Sequence, residues 1–432
     1  METFAFIPIV KMAGVFVLVL VLLRMSLQIG IALGVAAGVI GLAFSMSPVD
    51  ILGAAFRSLT HEKTLVLVSV VTLILILSSS MERLGQMEEL LGRFRKWASG
   101  SRWGMVMFPA LIGLLPMPGG AYFSAPMLDA FDPEGKLDGA LKSFLNYWFR
   151  HVWEYWWPLY PGVLLTCHIA GLELWRYIVV SVPMTALAVL GGLPHLLRVP
   201  RTVWADGSGG ATVRDRSGWR PLVPILLAIL PGVGFGLFLQ LLGDMQIRTH
   251  LPRETGLLAG LVAGVVWAWW DKGVRAEDLR SILLDGKLPR MWMILAGVFA
   301  FKGVIEEGGA AQAVGVALLE MEVPLFWVAV SLPMIVGAIS GLTIAFVGAC
   351  FPILVTLIQA AGGSQTELPL MVLAFASGFT GTLMTPLHLC LILSNEYFQA
   401  GWTAVYRRLW LPGSILLGGG MGYFSLIKGI SS

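Results

Sequence analysis

The sequence predicts an all-α polytopic membrane protein built from two inverted-topology repeats. Of its 432 residues, 57% are apolar and only 13% charged, against about a quarter charged in soluble domains. Apolar runs near the ~20 residues needed to cross a bilayer recur from end to end. Interruptions rich in Gly, Pro, Ser and Thr fall at corresponding places in the two halves.

Taken in order, full spans are expected at 4–23, 25–44, 64–80, 146–165, 176–197, 220–241, 254–270, 290–305, 369–394 and 410–430. The first lacks a basic leader and an A-x-A site, so it reads as a span and not a cleaved signal. Stretches 104–128 and 324–360 are interrupted near their centres and read as re-entrant hairpins. Met81–Trp97 and Val274–Leu288 mix apolar and charged residues at helical spacing, as helices lying in the interface plane do. The segment 306–323 carries four glutamates and no basic residue, and reads as an outer loop.

Basic residues orient this threading. With both termini on the outer side, the clusters between Arg83 and Arg102, Arg198 and Arg220, and Lys272 and Arg290 become cytoplasmic, with Arg24, Lys136, Lys142, Arg407 and Arg408. Outside remain Arg57, Lys63, Arg176, Arg248, Arg253 and Lys428, while Lys11, Arg150 and Lys302 fall within spans. Making either hairpin a full crossing would put later basic loops outside. Compact loops and the absence of organelle signals point to a cell inner membrane.

The halves also align. Pro109 with Pro333, Gly113 with Gly337, and Glu82 with Glu306 share one offset. The first repeat is placed at 1–200, a cytoplasmic linker at 201–219 and the second repeat at 220–432. Five crossings per half make the repeats enter the membrane from opposite sides, a plan of secondary transporters.

Non-helical backbone survives in a bilayer only inside protein or beside a water-filled cavity. Four stretches break the helical pattern: the tips Leu115–Pro126 and Gly337–Pro352, and the broken spans Asn146–Leu165 and Ser377–Ser394. A helix interrupted at the midplane offers N–H groups and a positive dipole end to an anion, and carbonyls to a cation. Gly119, Gly120, Gly341 and Gly381 allow close backbone approach. Ser124, Ser340, Thr343, Thr380, Thr382 and Thr385 supply hydroxyls. The same residue types also pack membrane helices.

Arg150, His151 and Glu154 are spaced to share one helical face. Ionisable groups within a span usually line an interior path. Arg150 suits a carboxylate or other oxyanion, and Glu154 or His151 suits proton coupling. The alternative is an internal ion pair holding the break in place. The surrounding Trp148, Trp153, Tyr155, Trp156, Trp157 and Tyr160 form an interfacial belt or a pocket wall. His388, in the second broken span, is a weaker pocket candidate. Lys11 has no partner legible in the sequence.

The net charge of +3 and the lack of a basic run with interleaved aromatics exclude nucleic acid as a partner. Cys167, Cys350 and Cys390 lie in or beside apolar runs without metal-type spacing and read as packing residues.

The runs LPMPGGAYFSAP, NYWFRHVWEYWWPLYPG and SGFTGTLMTPLHLCLILSNEYF resemble the uncharacterised integral-membrane family catalogued as domain of unknown function 401. That family is grouped in the ion transporter superfamily with gluconate, dicarboxylate and arsenite permeases and several sodium/proton antiporters. The resemblance covers essentially the whole chain. It implies a homodimer with a scaffold, a mobile transport domain and elevator-type alternating access. By this likeness the tips around Gly119–Gly120 and Ser340–Thr343 would hold substrate or ions. The Ser-Asn-Thr tip of some dicarboxylate carriers is absent, and the family supplies no substrate.

The expected function is secondary transport of a small organic anion coupled to H⁺ or Na⁺, with no cofactor beyond Na⁺ as a coupling ion and no enzymatic activity. One alternative is a cation/proton antiporter without an organic substrate. A remote one is a membrane-embedded metalloenzyme, since His151-x-x-Glu154 is half a metal site; no second ligand pair is apparent in the sequence, and no metal is assigned.

Overall fold

The computed structural model describes residues 2–25, 27–90, 101–117, 119–200, 203, 220–244, 255–284, 286–321, 324–360 and 367–431. Among them every regular element is a helix. The first half runs α1 (Glu2–Arg24), α2 (Ile29–Ala43), α3 (Pro48–Thr60), α4 (Glu62–Arg83), α5 (Arg102–Ile112), α6 (Ala121–Asp129), α7 (Gly139–Arg150), α8 (Pro161–Ala170) and α9 (Leu174–Leu197). The second half runs α10 (Val223–Asp244), α11 (Thr255–Lys272), α12 (Ala276–Leu283), α13 (Lys287–Glu307), α14 (Ala310–Glu320), α15 (Leu325–Ser340), α16 (Thr343–Ala360), α17 (Glu367–Met384), α18 (Leu389–Tyr397) and α19 (Trp402–Ser431).

Among the described residues, five stretches are long and apolar enough to cross a bilayer: Phe6–Arg24, Glu62–Arg83, Leu174–Leu197, Ala276–Glu307 and Glu367–Tyr397. That is the signature of a membrane protein. The other expected spans fall on shorter helices, such as α2 and α8, or on ones diluted by Gly and Trp, such as α11. The expected linker 201–219 lies outside the described residues except for Val203, as does 91–97 of the expected interfacial helix Met81–Trp97.

The helices sort into two packed groups. α1–α4 pack mostly among α10–α14, and α5–α9 mostly among α15–α19; across the boundary α16 touches α13 and α14, α15 touches α1, α8 touches α4 and α9 touches α10. Glycine sets the closest crossings. A methyl group at Gly30 would lie 2.1 Å from the Met293 carbonyl oxygen, and one at Gly297 2.1 Å from that of Gly30, so α2 and α13 meet backbone to backbone. In the other group, a methyl at Gly381 would lie 2.1 Å from the Met334 oxygen, joining α15 to α17. Small residues at such crossings are how membrane helices gain packing without a hydrophobic drive between them.

The predicted interruptions appear as helix pairs. α5 and α6 are parted by 113–120, α7 and α8 by 151–160, α15 and α16 by 341–342, and α17 and α18 by 385–388. Two expectations change. The segment 306–323 contains the helix α14, whose buried Ala310 and Val314 pack it against α1 and α16. Lys11 has partners after all. Its ammonium donates to the Ala43 carbonyl at 2.6 Å and lies 5.1 Å from the centre of the Phe44 ring, at the open C-terminal end of α2.

Candidate functional site

The helix α7 ends at Arg150, the first residue of the cluster that continuous spacing would place on a single face. Local chemistry explains the stop. His151 Nδ1 donates to the Tyr147 carbonyl at 2.6 Å, the His151 amide donates back to the Trp148 carbonyl, and two prolines follow at Pro158 and Pro161. Each proline biases its predecessor away from helix, and Pro161 restarts the chain at the first turn of α8. Arg150, His151 and Glu154 therefore do not share a helical face. Fold-back of the turn still holds His151 Nε2 3.7 Å from Glu154 Oε1, and all three residues are buried.

The interrupted α5 leaves carbonyls without helical partners, and the first broken span supplies donors to them. Trp153 Nε1 donates to Ala110 at 2.8 Å, Trp157 Nε1 to Leu114 at 2.7 Å and the Tyr160 hydroxyl to Gly113 at 2.5 Å. Arg150 Nη2 donates to Met117 at 2.6 Å. The aromatic run is thus neither only a belt nor only a wall: its N–H and O–H groups make a non-helical backbone tolerable where water is scarce.

Gly119 adopts φ +78° at this tip and faces Leu389 and Leu393 of α18. Gly120 lies under the Arg150 guanidinium. Arg150 Nε has no hydrogen-bond partner among the described residues, although Arg150 is only 2% exposed. The Tyr160 side chain stands near both Arg150 and Glu154.

The second tip behaves in a related way. Gly341, at φ +66°, closes α15 and abuts Thr385, Leu387 and His388 in the second broken span. The Thr343 methyl packs on Gly162 of α8. The Ser340 and Thr385 hydroxyls accept from the amides of Leu342 and Leu387, each at 3.3 Å. Thr380 and Thr382 bond the carbonyls of Ala376 and Gly378 within their own helix, and Thr382 faces Gly337.

All four interruptions are therefore contiguous. The Tyr147 hydroxyl joins the broken spans, 3.0 Å from the Leu383 oxygen and 3.1 Å from His388 Nδ1. His388 and His151 stand with ring centres 4.8 Å apart. Four polar residues extend this seam. Asn146 donates to the Ala121 carbonyl and the Ser394 hydroxyl, both at 2.9 Å, and accepts from Ser124 at 2.6 Å. Ser143 donates to Asn395 Oδ1 at 2.5 Å, and Asn395 Nδ2 has no partner among the described residues. Sequence reading passed over Ser143, Asn146, Ser394 and Asn395. Their signal was available: two polar residues on a broken helix of each half, in otherwise apolar surroundings.

The sequence profile of the family described as protein of unknown function DUF401 matches residues 9–205 and 222–424, nearly the whole chain in two segments. The chain belongs to this family. The two matched segments leave between them the stretch expected as a linker, so the family's signature covers both sets of interruptions. No curated protein matches the chain.

Proposed function

We propose that this DUF401 protein is a secondary active transporter that moves a small organic anion across the membrane, coupled to H⁺ or Na⁺, by elevator-type alternating access. One observation carries the reading. Arg150 is a buried guanidinium at the junction of an interrupted hairpin and a broken span, and its Nε has no partner among the described residues. A charge in that setting is costly unless it is paired, and it commonly marks a ligand path. A carboxylate bound to Nε and the free edge of the fork would complete the hydrogen bonding that the fold leaves open.

The order of helices supports the inverted repeat. α1–α4 are matched by α10–α13, α5 and α6 by α15 and α16, and α7–α9 by α17–α19. A methyl at Gly113 would lie 2.0 Å from the Arg150 oxygen, and one at its counterpart Gly337 2.1 Å from the Gly378 oxygen. The two packed groups suit a scaffold and a moving domain, with the ten-span threading, the re-entrant hairpins and both termini outside as parts of the same proposal. In this reading Gly119, Gly120, Ser124, Ser340, Gly341, Thr343, Thr380, Thr382 and Thr385 border the substrate path, Glu154 or His151 carries the proton, and the protein works as a homodimer.

The test is thermal stabilisation of detergent-purified protein by a panel of small carboxylates, with and without Na⁺, followed by uptake of the hit into proteoliposomes. A specific carboxylate is expected to raise the melting temperature by mass action. Arg150→Ala should abolish that shift and the uptake. Uptake undiminished in Arg150→Ala would sink the anion site. The His151–Glu154 contact favours a second reading, a cation/proton antiporter. Stabilisation by Na⁺ or pH alone, with exchange surviving in Arg150→Ala, would select it.

A further inference from the structure

We propose that His151, His388 and Cys390 form a binding site for a thiophilic, borderline-soft transition-metal cation of the Zn²⁺ type, with Glu154 bordering its fourth side. The three residues come from the two broken spans, more than two hundred positions apart. One ligand atom of each lies within 4.8 Å of those of the other two. Ligand atoms around a tetrahedral zinc sit about 3.3–3.8 Å apart, given Zn–N near 2.0 Å and Zn–S near 2.3 Å. Side-chain rotations drawing the three in by about an ångström complete the geometry.

Proton placement argues that both imidazoles present lone pairs. His151 Nδ1 lies 2.6 Å from the Tyr147 carbonyl, which only accepts, so Nδ1 carries the proton and Nε2 is left bare. Nε2 is buried and makes no hydrogen bond among the described residues. The Tyr147 hydroxyl has one proton, and it goes to the Leu383 carbonyl at 3.0 Å. At the 3.1 Å contact with that oxygen, His388 Nδ1 must therefore be the donor, and its Nε2 is also bare. One tyrosine thus fixes both tautomers through its carbonyl and its hydroxyl. Metal-binding histidines are oriented in this way, by giving their second ring N–H to an oxygen.

The donor set selects the ion. Two imidazoles and a thiolate favour Zn²⁺ or Cu⁺ over Mg²⁺, Ca²⁺ or Na⁺. Glu154 Oε1, 3.7 Å from His151 Nε2, adds a second negative charge, and with the thiolate it offsets a divalent cation beside the positive Arg150. Access runs past His388, which is half-buried and flanked by the exposed Leu387 and Leu389. A cation held there would clip α7 to α18 at their breaks. This inference does not rest on anion transport.

The experiment is Co²⁺ titration of chelator-stripped, detergent-purified protein, read by absorbance, with Zn²⁺ back-titration. Expected are one Co²⁺ per chain, a thiolate-to-cobalt charge-transfer band, and the intense d–d bands of tetrahedral coordination, all erased by Zn²⁺. Cys390→Ser should remove the charge-transfer band, while Cys167→Ser and Cys350→Ser leave it unchanged. His388→Gln should weaken binding at least about tenfold, the lower end of what changes around a metal site cost. Melting curves of each variant separate a lost ligand from a lost fold, and Cys390→Ala repeats the test if the serine variant melts early. Wild-type protein that binds no stoichiometric Co²⁺, or a band that persists in folded Cys390→Ser, overturns the site. Arg150→Ala is expected to keep the band, so failure of the anion site and failure of the metal site are read independently.

Discussion

Gly120 sits beneath Arg150 because nothing larger fits: a methyl there would lie 2.4 Å from Nη2 and 2.9 Å from Nε. The obstruction is the end of a side chain, not backbone, so Gly120→Ala should move the guanidinium and spare the fold. Loss of one hydrogen bond to a charged partner costs about 1.5–3 kcal/mol. The variant should therefore bind its carboxylate at least about tenfold more weakly, with a melting temperature within a few degrees of the parent. Ligand-dependent thermal shifts measure both. A parent-like affinity would remove Arg150 from the substrate site. Arg150 and Glu154 were legible in the sequence because charge inside an apolar run is rare. Asn146 and Cys390 were not, because their roles depend on neighbours from other helices, and Tyr160 was legible only as one of an aromatic set.

The start of α7 is held by an ionic knot that the sequence reading did not assemble. Lys142 Nζ lies 2.7 Å from Asp129 and 2.8 Å from Asp132. Asp132 also accepts from the amides of Lys136 at 2.8 Å and Leu137 at 2.9 Å. Burial alone would raise the Asp132 carboxyl, but Lys142 and the two amides outweigh it and hold the group below the usual carboxylate range. The folded value is thus the depressed one. The knot contributes stability above the unfolded value, near pH 4, and loses it as pH falls through the folded value. Melting temperature should hold from pH 7 to pH 5 and drop below about pH 4. Asp132→Asn should cost about 1–3 kcal/mol at pH 6, and its gap from the parent should narrow at pH 3. A gap that does not change with pH would show that Asp132 acts through packing alone. At this same scale, apolar run length and broken periodicity revealed the membrane character of the helices and the four interruptions. They could not reveal α14, whose apolar face has meaning only against α1 and α16.

The two packed groups and the basic loops make a prediction for the molecule as a whole. Val49, in the first turn of α3, is 78% exposed and is expected outside; Gly401, just before α19, is exposed and is expected in the cytoplasm. Cys167, Cys350 and Cys390 are all buried and free, so they give little background. A membrane-impermeant maleimide should label Val49→Cys in intact cells and Gly401→Cys only after permeabilisation. The opposite pattern would invert the threading, and labelling of both in intact cells would break the odd number of crossings between them.

Hydropathy, run length and the placement of Gly and Pro are local properties, so the sequence by itself determined that this is a helical membrane protein of the DUF401 family and where its helices break. Convergence is not local. Only the tertiary structure decided that Arg150 lies on Gly120, that Lys11 reaches Ala43, and that His151 meets His388 and Cys390. In a bilayer each interrupted helix must find donors and acceptors within the protein. Those partners came from other elements, at sequence separations that no spacing rule can read.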